Sequence, residues 1–139
     1  MADKVRTQPC DRQDALARLA QAESFIEVGD MVLAAEDEAI ATGGVAAALA
    51  VLAGIAAADA ACCARLKERA RGQDHKQAVG LVESVHPHGP EMAKDLGRLL
   101  ARKDDAHYGL HVASVGDAKK MLEWAKRLAA HARGVVEVA

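Results

Sequence analysis

Residues 43–58 carry no charged side chain and half of them are alanine, and this stretch constrains the fold more than any other. Alanine has the highest helix propensity and a side chain so short that neighbouring backbones can approach closely. The stretch is shorter than the ~20 apolar residues a bilayer span requires, and Asp59 follows it at once. It reads as a buried helix with other helices packed around it, not as a membrane segment. The composition supports this, because 51% of the residues are hydrophobic but only 2% are aromatic.

Apolar spacing of three, four and seven recurs along the rest of the chain, the signature of helices that bury one side. Ala15, Leu19, Ala22, Ile26, Gly29, Leu33 and Ile40 define a long first helix, which Thr42, Gly43 and Gly44 are expected to stop and turn. Val45, Leu49, Leu52, Ala56, Asp59, Cys63 and Leu66 form the seam of a second helix, closed near Gly72 behind the basic run Arg65, Lys67, Arg69 and Arg71. Asp74 and Gln77 have capping-box spacing and open a short third helix along Ala78, Val82 and Val85. The turn His86, Pro87, His88, Gly89, Pro90 breaks it. Met92, Leu96, Leu99 and Leu100 mark a fourth helix that runs to Gly109. Ser114 and Asp117 cap a fifth, which carries Ala118, Leu122, Ala125, Ala129 and Ala132 on one side with Trp124, Leu128 and Val135 beside them. The only alternating stretch is the short tail 135–138. The expected fold is therefore all-α, an antiparallel up-and-down bundle of four to five helices.

A length of 139 residues suits one domain, expected over residues 11–139 behind a polar, flexible leader at 1–10. The net charge of −2 argues against a strongly basic nucleic-acid coat or a polybasic membrane anchor. Three cysteines cannot all pair, and the adjacent Cys62 and Cys63 read as small core residues, so a reducing cytoplasm is the expected location. The N-terminus lacks the apolar run of a signal peptide.

Asp59 breaks the apolar seam of the second helix and must find a partner, either a neighbouring helix end or a buried cation such as Lys103. Its other reading is an acidic member of a site. His75, one turn before Ala78 and Val79, is expected to face inward as a packed histidine or a site residue. Arg102, Lys103, His107 and Tyr108 close the fourth helix, with Lys103 and His107 on the continuation of the Leu96–Leu100 stripe. Arg102 and His107 are the candidate catalytic pair, joining a permanent cation to a group that titrates near neutrality. Positions 102 and 107 stand roughly 140° apart on an ideal helix, so converging on one phosphate requires a helix break or a second copy. His107 and His111 have metal-ligand spacing, but no third ligand accompanies them, and neither metal nor cofactor is expected.

With this order of elements, residues 16–135 resemble the HEPN superfamily of small helical bundles. The matching segments are Ala53-Gly54-Ile55-Ala56-Ala57-Ala58-Asp59-Ala60, Gly72-Gln73-Asp74-His75-Lys76-Gln77-Ala78-Val79, and Leu99-Leu100-Ala101-Arg102-Lys103-Asp104-Asp105-Ala106-His107-Tyr108. The last contains the superfamily's arginine, four-to-six-residue gap and histidine. The resemblance implies a homodimer. In catalytic members, metal-independent endoribonucleases of toxin or host-defence type, Arg102 would hold the scissile phosphate and His107 would move the proton, with Asp59, His75, Lys103 and Tyr108 in support. Lys103 departs from those members, in which the residue after the arginine is often acidic or polar and uncharged. Small relatives with similar Asp74-His75 and Ala106-His107-Tyr108 segments often lack the arginine.

Three functions follow. The first is a noncatalytic dimeric module that binds a protein or nucleotide partner; the second is an RNA endonuclease built on Arg102 and His107. The third, carried only by the basic run 65–71, is direct DNA binding.

Overall fold

The computed structural model describes residues 6–35, 37, 42–71, 75–108 and 113–139, with the backbone alone for 104–108. In chain order the elements are β1 (Thr7–Pro9), α1 (Arg12–Ala34), α2 (Gly43–Leu66), β2 (Glu68–Ala70), α3 (His75–Glu83), α4 (Gly89–Tyr108) and α5 (Val115–Val138). The four long helices alternate in direction. Arg18 of α1 meets Asp59 of α2, Glu23 and Asp30 of α1 meet Arg133 and Lys126 of α5, and Asp95 of α4 meets Arg127 of α5. The all-α expectation holds at the level of class, with five helices and one two-stranded ladder among the described residues.

α2 is the central helix and packs most extensively on α1 and α5. Every residue from 56 to 64 is buried, because alanine lets neighbours close in from all sides. Gly54 carries this further, since a Cβ there would collide with the Leu99 side chain of α4. Although α2 is long and apolar enough to cross a bilayer, 72% of its most apolar window lies inside the fold. Its N-terminal half departs from the expected seam: Val45 is 50% and Leu52 47% exposed, while Ala46, Ala50 and Ala53 face inward. The larger side chains sit on the outer face and alanines fill the core.

Helix boundaries differ from expectation where capping chemistry decides them. Asp11 caps α1 through a reciprocal box with Asp14, each carboxylate accepting the other residue's backbone N–H at 2.9 Å. α1 ends at Ala34, short of Ile40, and residues 36 and 38–41 lie outside the described set. Thr42 starts a helix instead of stopping one, its Oγ1 accepting from the Val45 N–H at 3.3 Å. Gly43 then belongs to the first turn of α2, where any Cβ would strike the backbone of Ala113 and Ser114. The expected partner of Gln77, Asp74, lies outside the described residues, as do Gly72 and Gly109. Ser114 caps α5 by accepting from the Asp117 N–H at 3.0 Å.

The strand pair has no counterpart in the sequence reading. β1, in the segment read as a polar leader, pairs antiparallel with β2 in the register Thr7 to Ala70, Gln8 to Arg69 and Pro9 to Glu68. The tail at 135–138, the one stretch with β-like alternation, is helical up to Val138. Cys63, read as a small core residue, instead forms a disulfide with Cys10 across 53 residues, which removes the cysteine argument for a reducing compartment and leaves Cys62 as the free, buried thiol.

Candidate functional site

The described candidate residues fall into two polar clusters, one buried in the alanine core and one half-buried at a helix junction. The first surrounds Asp59, 7% exposed in the middle of the buried run of α2. Its partner is Arg18 of α1, not Lys103: Arg18 Nη2 and Nε donate to the same carboxylate oxygen at 2.8 and 3.2 Å, and Arg69 of β2 approaches to 3.7 Å. A long guanidinium stem can lie along apolar surface and bring its head to a buried acid while staying partly wet. Burial pushes the Asp59 carboxyl above its ordinary range, opposed by the hydrogen bond and charge of Arg18 and by the charge of Arg69. Burial also pushes the neighbouring Cys62 thiol up to about 12, helped by the negative charges of Asp59 and Glu68.

The second cluster lies where the start of α3 meets the end of α4. Lys103 Nζ is 2.9 Å from His75 Nε2, and both side chains are half-buried. An ammonium has only donors, so a charged Lys103 places its proton on the Nε2 lone pair of the imidazole. Arg102, one residue earlier, is exposed and makes no hydrogen bond or ion pair among the described residues. The β ladder reaches this end of the molecule too: the Arg71 N–H donates to the Arg6 carbonyl at 2.7 Å, and the Arg6 N–H donates to Gln77 Oε1 of α3 at 3.2 Å. The backbones of Arg6 and Arg71 are thereby tied to the same helix that presents His75.

Of the residues read as a site, the structure brings His75 and Lys103 together beside Arg102 and assigns Asp59 to a separate cluster. His107 and Tyr108 belong to the last turn of α4, which runs through them without a break; their side chains, and His111, lie outside the described residues. Among the described residues no group of three metal-ligating side chains converges. His86 and His88 are exposed, and His88 stacks on His131 of α5 with ring centroids 4.4 Å apart.

Two features escaped sequence reasoning. Asp95, 2% exposed, sits on the Met92–Leu96–Leu99 stripe of α4 and takes a bidentate pair from Arg127 at 2.7 and 2.9 Å. A charged residue on a fully apolar stripe was the available signal, as it was for Asp59. The other is a cleft of about 290 Å³ bordered by Gln8, Cys10, Asp14, Arg18 and Arg69, for which nothing in the sequence prepared. Comparison with protein-family models, curated proteins and solved structures finds no match to this chain.

Proposed function

We propose that this chain is an HEPN-like dimeric helical module that binds an RNA- or nucleotide-borne phosphate at the meeting of α3 and α4, without cleaving it. The observation that carries this reading is the contact of Lys103 with His75, one position after an exposed Arg102 that has no partner among the described residues. These side chains offer donors to an anion. The one acceptor among them, His75 Nε2, is already engaged by Lys103, so it is not a free base. A guanidinium and an ammonium two to three bond lengths from a phosphate oxygen supply charge-assisted hydrogen bonds without acid–base chemistry.

The continuity of α4 bears on catalysis. Because the helix does not break between 102 and 107, those positions diverge around its axis within one chain. A ribonuclease site would need the second copy to complete it. The outer apolar face supplies a surface for that copy: Val45 and Leu52 of α2 and Val28 and Met31 of α1 are 40% exposed or more. With Arg18 against Asp59 and equal rise along antiparallel helices, the exposed Val28 and Leu52 fall within one turn of the same height.

Binding of a labelled single-stranded RNA at several salt concentrations, in chelator, tests it. Wild type should bind with salt-dependent affinity and leave the RNA intact. The double charge reversal R102E/K103E should weaken binding on the order of tenfold or more. Absence of binding overturns the proposal. Cleavage that disappears in both R102A and H107A establishes the endonuclease instead.

A further inference from the structure

We infer that the cleft beside β1 is a thiol–disulfide exchange site that takes a small zwitterionic thiol, one carrying both carboxylate and ammonium groups, and joins it to Cys10. Three observations converge there. Cys10 lines the cleft and is partly exposed, whereas its bonded partner Cys63 is fully buried and does not reach the cleft. Of the two bonded cysteines only Cys10 is within reach of a thiolate entering the cleft, which makes Cys63 the leaving sulfur. The cleft also carries both signs of charge. Arg18 and Arg69 border it with partly exposed guanidiniums, and Asp14 at the N-terminus of α1 borders it with a carboxylate. Among the described residues Arg69 makes one ion pair, a 3.7 Å approach to Asp59, and one side-chain hydrogen bond, to Gln8, which leaves donors for a ligand carboxylate. Finally, a volume near 290 Å³ suits a small ligand, just under the roughly 300–1,000 Å³ usual for small-molecule sites.

The step balances without another reactant. The incoming thiol gives up its proton, its sulfur bonds to Cys10 Sγ as the Cys10–Cys63 bond breaks, and the electron pair leaves on Cys63, which takes up a proton. One thiol and one disulfide become one mixed disulfide and one thiol. Cys62 takes no part, because burial keeps it protonated and it borders neither Cys10 nor the cleft. The site is independent of the phosphate reading, since it shares none of His75, Arg102 and Lys103.

The oxidised protein is incubated separately with glutathione and with uncharged 2-mercaptoethanol, and the rate of adduct formation per thiolate is followed by intact mass with peptide mapping. Glutathione is expected on Cys10, about tenfold faster per thiolate than mercaptoethanol, in the range that local charge focusing provides. High salt should shrink that advantage by slowing glutathione alone. R69Q should lower it as well, and C62S should retain the Cys10 adduct. Equal rates per thiolate, an advantage insensitive to salt, or adducts confined to Cys62 or Cys63 overturn the proposal.

Discussion

At Asp59 burial and ion pairing act on one carboxyl in opposite directions, and burial has the larger effect. The sign follows from that. A folded-state pKa raised above 3.8 means that the proton stabilises the fold; this contribution is full below the unfolded pKa and is lost as pH rises through the folded one. The neutral isostere D59N should therefore stay within about 1 kcal/mol of wild type at neutral pH, because it removes the buried charge while Arg18, 28% exposed, stays partly hydrated. Wild type should gain on D59N as pH falls through the window just above 3.8. R18A is a different case, because it removes both hydrogen bonds to the carboxylate and leaves only Arg69, 3.7 Å away. Breaking a buried pair costs roughly 3–5 kcal/mol, and the 28% exposure of Arg18 puts the expected loss toward the lower end. Urea denaturation of the two single variants and of R18A/D59N, in which part of the loss should return, checks both statements.

Among the elements, what could be read from the sequence was the apolar period, and what could not was the chemistry of ends and edges. The stripes of α3, α4 and α5 lie where their leucines and valines placed them: Val82, Leu96, Leu99, Leu122 and Leu128 are all at most 1% exposed. In α2 the period misled, because alanines on every face give no preferred direction and the few larger residues drew the seam to the outer side. β1 and β2 have three residues each and no alternation, so their pairing depends on tertiary closure that no local pattern encodes. The site was half legible. His75 and Lys103 stood out as titratable groups at helical seams, whereas Arg18 looked like any solvent-facing residue of α1.

Glycines separate close approach from mere tolerance in the same elements. Nothing lies within 4 Å of a Cβ added at Gly97 or Gly134, in the interiors of α4 and α5, so alanine there should stabilise by about 0.5–1 kcal/mol through helix propensity. At Gly43 an added Cβ meets the backbone of Ala113 and Ser114, which no rotamer can relieve. G43A should therefore lose about 1–3 kcal/mol despite its better propensity. Thermal melts of the three variants would show midpoints moving in opposite directions.

At the scale of the whole molecule, the Cys10–Cys63 bridge and the outer apolar face act on different equilibria. The bridge closes 53 residues of chain and ties β1 to the buried half of α2, so in the chain-entropy account it stabilises the fold by about 4 kcal/mol. C10S should lose most of that in oxidising buffer, and a reductant should erase the difference from wild type. The outer face, by contrast, matters only once a second copy is present. Val28, Met31, Val45 and Leu52, exposed on α1 and α2, favour self-association through burial of apolar area. L52E places a charge among them without touching the core, because Leu52 is already 47% exposed. Sedimentation should show wild type as a dimer and L52E as a folded monomer with an unchanged helical spectrum. If both sediment as monomers, the second-copy requirement imposed by the unbroken α4 cannot be met through this face. If L52E is monomeric yet binds RNA as tightly as wild type, phosphate recognition belongs to the single chain, which is the behaviour expected of the donors at His75, Arg102 and Lys103.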